Sequence, residues 1–206
     1  MRAFALILAA MALAVSACSS GSDSSAEEQP GPAQDTTPAP REAHFTKAQL
    51  SSLGLKPSDA PEGMRYTKEA SGRLTLADAG FIAPSQVKAI QKFKLEGIHD
   101  STFDSTSSDL RLASRIWLFD SAENAQKWLD KTEADSQQFG FEPLDPPSIG
   151  EDGWAGIGNL AAQVLTYAFR EGNVVVVTSY TSETETLSEA EGIAAARKAQ
   201  QRLDQA

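Results

Sequence analysis

The chain has few of the side chains that carry covalent or metal chemistry. Its 206 residues include one cysteine, Cys18, and two histidines, His44 and His99. One cysteine cannot form an internal disulfide, and one cysteine with two histidines cannot supply the usual ligand set of a zinc or iron–sulfur site. We therefore expect no structural disulfide, no metal site and no cofactor.

Basic clusters and long apolar runs are lacking as well. The formal net charge is −10, and no run of Lys and Arg offers the positive patch that phosphates require, so a nucleic-acid partner is not expected.

The longest apolar run, residues 3–15, has 13 residues, whereas a membrane span takes about 20. With Arg2 before it and small residues after it, this run is typical of a secretory signal peptide, which we place at residues 1–17.

The single cysteine follows this segment directly. Residues Val15 to Cys18 (VSAC) resemble the lipobox of bacterial lipoproteins. In that family the thiol receives a diacylglyceryl group, a dedicated signal peptidase cuts just before the cysteine, and the new amino terminus can also be acylated, for example with palmitate. The resemblance implies cleavage between Ala17 and Cys18 and a lipid anchor on Cys18, which holds the protein on the extracytoplasmic face of the cell membrane. The alternative is an ordinary secretory peptide followed by a free cysteine.

Residues 18–42 are predicted to be a disordered tether. After the cysteine, Ser19 to Glu42 contain five serines, four prolines and a net charge of −4, and alanine is their only apolar residue type. Such a segment cannot bury enough surface to offset the entropy lost on ordering. As a flexible coil it would span roughly 25–30 Å and hold the following residues clear of the lipid headgroups.

Apolar residues return at Ala43, and residues 43–206 are long enough for one domain with its own core. The second half has the clearer patterns: Asp120 with Glu123 three positions later is typical of a helix start, and Gly172 separates two β-rich runs as in a hairpin. The predicted strands are 64–70, 94–104, 110–118, 162–170 and 173–180, and the predicted helices are 46–53, 84–93, 120–138 and 188–203.

These elements favour an α+β fold, in which an antiparallel sheet carries helices packed on one face and leaves the other face to solvent or to a partner. The two halves of the domain could also be related copies of one helix-plus-sheet unit.

Two motifs with possible chemistry have simpler interpretations. Residues 156–161 (GIGNLA) match the GxGxxA form of a dinucleotide fingerprint, but a strand should precede it and a helix should follow. Instead an acidic, glycine-rich loop precedes it and a β-rich run follows, so we interpret it as a connection into the next strand. His99 lies near Asp100, Asp104 and Asp109, yet this segment lacks the glycine and closing glutamate of a calcium loop. Since the chain has no GxSxG elbow either, we predict no catalytic residue.

The large aromatic residues allow two interpretations. Trp117, Trp128 and Trp154 are expected to be the large hydrophobic groups together with Tyr167 and Tyr180. Trp128 is expected in the core and Trp117 on the less buried face of the sheet. The alternative is a ligand groove on the exposed face, for which Trp154, predicted to lie in a flexible loop, is the first candidate.

Four stretches carry a family resemblance: residues 53–63 (LGLKPSDAPEG), 119–129, 149–154 (IGEDGW) and 170–177 (REGNVVVV). They resemble extracytoplasmic lipoproteins of high-GC Gram-positive bacteria and, distantly, the sensor domains that some bacterial serine/threonine kinases display outside the cell. The two cysteine pairs of those kinase sensors are absent here, so no ligand-binding residue is carried over. The expected anchor, the acidic tether and a compact domain without recognisable catalytic groups favour a binding or sensing module without enzymatic activity, whose partner is a small molecule or an envelope protein. The alternatives are a carrier or chaperone for apolar envelope molecules and a hydrolase with an unusual site.

Overall fold

The computed structural model describes residues 43–81 and 83–206. Four helices lie in this part of the chain: α1 (Leu50–Leu53), α2 (Pro84–Gln91), α3 (Ala122–Gln138) and α4 (Glu189–Asp204). The strands are β1 (Met64–Tyr66), β2 (Gly72–Leu74), β3 (Leu95–Ser105), β4 (Arg111–Phe119), β5 (Glu142–Leu144), β6 (Asp152–Asn159), β7 (Gln163–Glu171) and β8 (Val174–Ser182).

All eight strands form one open antiparallel sheet. Its order is β1-β3-β4-β8-β7-β6-β5, and β2 pairs with β3 beside β1. The α+β class and the antiparallel sheet predicted from sequence are therefore confirmed. No helix of the described residues is long and apolar enough to cross a bilayer.

Local signals account for several element boundaries. The hydroxyl of Ser121 accepts a hydrogen bond from the Asn124 amide at the start of α3, and Ser188 caps α4 in the same way. Asp120, predicted as the cap of α3, lies one residue earlier and accepts from the Asn124 side chain. The predicted hairpin is confirmed, because β7 and β8 pair along their length across a turn that contains Gly172 at φ +54°.

Helices cover both faces of the sheet, so the prediction that they occupy one face is wrong. On the first face, α1 and α4 pack on one apolar cluster with side chains of β4 that include Ile116 and Leu118. On the second face, α2 and α3 pack on another cluster with Trp117 and Phe119 of the same strand. Successive residues of a strand point to opposite faces, and the consecutive valines of β8 are buried on both.

The two halves of the domain are not copies of one unit in chain order. The first half runs α1-β1-β2-α2-β3-β4, whereas the second runs α3-β5-β6-β7-β8-α4. Each half does contribute one helix to each face of the sheet.

Strand β6 occupies a stretch that the sequence patterns placed in a loop. Three glycines weaken its strand signal, because glycine has a low strand propensity. Packing leaves no room for a Cβ at two of them: one on Gly153 would lie 2.6 Å from the Ala168 carbonyl oxygen, and one on Gly158 would lie 2.8–2.9 Å from three ring carbons of Phe141. Two predicted elements are shorter in the structure: helix 46–53 is confined to α1, and strand 64–70 is confined to β1. Strands β2 and β5 were not predicted.

Candidate functional site

Three connections meet at one end of the sheet, which we call the loop end. They are the β3–β4 loop (residues 106–110), the β6–β7 turn (160–162) and the β8–α4 loop (183–188). The antiparallel registers bring them together, since Asn159 pairs with Gln163 and Gln163 with Ser182. Residues far apart in sequence thus share one surface.

Asp109 joins two of these connections. Its carboxylate accepts hydrogen bonds from the Ser182 hydroxyl at 2.7 Å, the Glu183 amide at 2.5 Å and the Thr184 hydroxyl at 2.9 Å. The bond from Ser182 lowers the pKa of Asp109, and those from the other two residues act in the same direction. The Ser182 hydroxyl oxygen also accepts from the backbone amides of Thr184 and Glu185. The loop after β8 is therefore held in one conformation.

A pocket of about 330 Å³ lies beside this loop, between it and the β6–β7 turn. Its volume is at the lower end of the range for small-molecule sites. The lining residues are Asn159, Leu160, Ala161, Ala162, Gln163, Ser182, Glu183, Thr184, Glu185 and Thr186.

The chemistry of the pocket favours ligands that donate hydrogen bonds. Its lining contains two carboxylates, Glu183 and Glu185, with amides and hydroxyls, and no basic residue. The side-chain oxygen of Gln163 accepts from the Leu187 amide at 2.9 Å, which fixes the position of the Gln163 amide. Leu160, 41% exposed, is the only exposed large hydrophobic side chain of the described residues and lies at this pocket.

The acids near His99 are dispersed over the sheet. His99 is buried on the first face, where burial lowers its pKa. Asp100 points to the second face and forms a buried ion pair with Arg115, with two contacts of 2.7 Å. The Asp104 carboxylate accepts hydrogen bonds from the Arg111 guanidinium and the Thr67 hydroxyl. Asp109 lies at the loop end. The geometry assembles neither a triad nor a calcium loop around His99, and in residues 43–81 and 83–206 no group of three or more His, Cys, Asp or Glu is placed to hold a metal.

The aromatic residues belong to the core, so the ligand groove proposed for them is wrong. Trp117, Trp128 and Trp154 are each 4–5% exposed, and Tyr167 and Tyr180 are buried too. Trp154 lies in β6 rather than in a flexible loop, and its indole N–H donates to the Thr132 hydroxyl at 3.0 Å.

The glycine motif at residues 156–161 spans the end of β6 and the following turn, and β7 follows it. A nucleotide fingerprint needs a helix N-terminus at that point, and a strand lies there instead. The stretch does lead into the next strand as predicted, but residues 156–159 are themselves part of strand β6. The predicted cleavage site between Ala17 and Cys18, the lipid attachment at Cys18 and the tether lie outside the described residues. His44 is exposed at the start of the domain.

Sequence patterns missed the pocket itself. The signal that could have indicated it is the polar run SETET at residues 182–186, which lies between a strand and a helix. The partner of that run, the β6–β7 turn, could not be identified because β6 was not predicted.

Comparison with known proteins supports the fold. The structure is similar to the crystal structure of the extracellular domain of PknH from Mycobacterium tuberculosis, with a TM-score of 0.56 and 13% sequence identity. The similarity covers 80% of this chain and 100% of that chain. No protein family and no curated protein sequence matches the chain significantly.

Proposed function

We propose that this chain is a membrane-anchored extracytoplasmic binding or sensing module without enzymatic activity, and that its ligand site is the pocket at the loop end. The observation that carries the proposal is the similarity in fold to an extracellular domain over four fifths of the chain. The distant sequence resemblance to extracytoplasmic sensor domains of kinases supports the same role.

The anchor is assigned to Cys18. A lipid on this residue, followed by an acidic tether with a net charge of −4, would place the domain near the membrane and away from anionic headgroups. In cells, Cys18→Ala should move the protein out of the membrane fraction or leave it as the unprocessed precursor. Processed Cys18→Ala protein that stays membrane-bound would contradict the anchor.

The binding role can be tested separately at the pocket. We would titrate the full chain in detergent by calorimetry with putrescine, a neutral trisaccharide and citrate as probes of cationic, hydroxylated and anionic ligands. Binding of either donor-rich probe is expected, because the lining supplies carboxylates and amide oxygens and no cation. Citrate should not bind.

A double variant, Glu183→Gln with Glu185→Gln, removes the carboxylates and keeps the side-chain size. It should weaken putrescine binding at least about tenfold, the loss expected when a charged hydrogen-bond acceptor becomes neutral. Glu133→Gln, an exposed acid on α3, is the matched control and should leave binding unchanged. If none of the donor-rich probes binds, or if the double variant binds as well as the unmodified chain, the pocket is not the site.

The carrier hypothesis depends on an open apolar face of the sheet. Helices pack on both faces, and the described residues expose one large hydrophobic side chain, Leu160. The binding module is therefore the better supported of the two proposals.

A further inference from the structure

His99 is a buried titratable group with an unused hydrogen-bonding atom. The residue is 7% exposed on the first face of β3, and its Nδ1 has no hydrogen-bond partner among the residues that the structure describes. Neutral imidazole tolerates this arrangement because one nitrogen can remain an acceptor without a proton. Imidazolium would have to bury a second N–H donor and a full positive charge.

The segment that covers His99 leaves it no room to turn. A Cβ added to Gly54 would lie 2.5 Å from Cδ2 and 2.6 Å from Nε2 of the imidazole, and 2.9 Å from the hydroxyl oxygen of Ser101. The backbone of Gly54 therefore lies directly on the ring. The Ser101 hydroxyl donates to the Leu55 carbonyl at 2.8 Å and ties the same segment to β3.

The rest of this segment is fixed mainly by apolar burial. Leu50 and Leu53 of α1 are 2% and 0% exposed and pack in the first-face cluster. We call residues 46–56 the latch segment. It lies between the start of the domain at Ala43 and the turn at Pro57–Asp59, where Arg202 of α4 binds Asp59 with two contacts of 2.7 Å. At the other end, Phe45 just before the latch segment is bonded through its amide and carbonyl to the Asn173 side chain. The latch segment is therefore held at both ends, and His99 lies beneath Gly54 near its carboxyl-terminal end.

The charges around His99 do not offset the burial of imidazolium. The pKa of His99 is lowered mainly by burial. The negative charge of the neighbouring Asp100 acts to raise this pKa, and the positive charge of Arg73 on β2 lowers it further. Asp100 points to the other face and is already paired with Arg115. Residues 50–53 of α1 carry no charge, the β4 residue opposite His99 is Ile116, and Lys47 of the latch segment pairs with Glu96 at 3.7 Å.

We propose that His99 is a pH-sensitive latch, whose neutral ring keeps the latch segment closed on β3 and whose protonation opens it. The latch segment follows the region where the tether joins the domain, so opening would change how the domain is held relative to its point of attachment. It would also uncover apolar side chains of the first face beneath α1. The inference is independent of the ligand pocket, which lies at the loop end.

The sign of the pH dependence follows from linkage. The closed state has the lower pKa at His99 and the open state has the ordinary value near 6.5. The closed state is therefore fully stabilised above about pH 6.5, and it loses stability as the pH falls from there through the lowered value. Each unit between the two pKa values multiplies the opening equilibrium by about ten.

The test is amide hydrogen exchange of the full chain in detergent at pH 7.5 and pH 5.0, with rates corrected for intrinsic exchange. Protection of the latch segment should fall at least about threefold at pH 5.0, whereas protection of β7 and β8 should stay the same. An NMR titration of histidine-labelled protein gives the pKa directly, because only His44 and His99 contribute signals. The loss of protection should match the value calculated from the measured pKa of His99.

His99→Gln cannot be protonated and should make protection of the latch segment independent of pH, whatever its absolute level. His44→Gln changes the exposed histidine and should retain the response of the unmodified chain. Burial also raises the pKa of Asp135 on α3 and of Glu171 on β7, and His99→Gln separates their titration from that of His99.

Three results would each overturn the proposal. They are a His99 pKa at or above 6.5, equal loss of protection in the latch segment and in β7–β8, and a pH response that persists in His99→Gln. The NMR titration uses the unmodified chain and decides the question even if His99→Gln does not fold.

Discussion

Replacing Asn173 with alanine should destabilise the domain strongly, because this one side chain connects three parts of the fold. Asn173 is 1% exposed and lies in the β7–β8 turn, directly after Gly172. Its side-chain oxygen accepts from the Phe45 amide at 2.7 Å, and its side-chain nitrogen donates to the carbonyls of Phe45 at 3.0 Å and Phe119 at 2.8 Å. The start of the domain and the end of β4 are thereby joined to the β7–β8 turn.

The cost can be worked out from these three bonds. A hydrogen bond contributes about 0.5–1.5 kcal/mol net, and a buried group left without a partner costs about 1–3 kcal/mol. Phe45 and Phe119 are 7% and 0% exposed, so water has little access to the amide and carbonyls that would lose the Asn173 side chain. We expect Asn173→Ala to lower the free energy of unfolding by about 2–4 kcal/mol.

The assay is urea unfolding followed by tryptophan fluorescence, which reports on three buried indoles. For a domain of this size, the expected loss corresponds to a drop in Tm of roughly 5–15 °C. Asn159→Ala, an exposed asparagine at the end of β6, is the matched control and should change stability by less than about 0.5 kcal/mol. If Asn173→Ala proves as stable as this control, the assignment of Asn173 as a tie between the three segments is wrong.

Gly158→Ala should cost about 1–3 kcal/mol in urea unfolding, since the new methyl group would overlap the ring of Phe141, and a Phe141→Leu background should reduce that cost. Arg202→Gln should lower the free energy of unfolding by about 2–3 kcal/mol, because the Asp59 side chain is 2% exposed and would lose the partner that contacts it twice. Lys198 lies 3.8 Å from the same carboxylate, and Lys198→Gln should lower the free energy of unfolding by less than about 1 kcal/mol. Burial alone would raise the pKa of Asp59, but the hydrogen bonds from Arg202 and from the Lys56 amide outweigh burial and lower it. In acid unfolding, the stability contributed by the Asp59–Arg202 pair should therefore decline only as the pH falls from about 3.8 through the lowered pKa. Equal stability of Arg202→Gln and Lys198→Gln, or of Gly158→Ala and the unmodified chain, would contradict these assignments.

Elements with local signals were predictable from the sequence. The β7–β8 hairpin and the helices that begin after Ser121 and Ser188 depend on turn and cap residues close in sequence, which act before any tertiary contact forms. The fold class followed from the order of these elements.

The sequence of β8 does indicate that both faces of the sheet are buried. The consecutive valines at residues 174–177 cannot alternate between a core and solvent, so they indicate a strand covered on each side. The interpretation that helices lay on one face instead relied on the alternating pattern of β4. In β4 the residues assigned to the polar side include Trp117 and Arg115, which are buried by aromatic packing and by the pair with Asp100.

The candidate site could not be predicted because it depends on register. Its lining residues come from two connections about 20 positions apart, and Asp109 comes from a third connection more than 70 positions before the β8–α4 loop. Strand β6, which the sequence patterns did not indicate, places one of those connections. Its glycines are explained only by tertiary contacts: Gly158 packs against the Phe141 ring and Gly153 against the Ala168 carbonyl. The same holds for His99, whose covering residue, Gly54, is 45 positions earlier in the chain.

The most direct test of the central claim, a domain held at the membrane through Cys18, is the mass of the amino-terminal peptide of the protein extracted from membranes. The account predicts a peptide that begins at Cys18 and carries the mass of a diacylglyceryl group, with or without a further acyl chain. A mature peptide that begins at another residue, or one that begins at Cys18 with a free thiol, would contradict it.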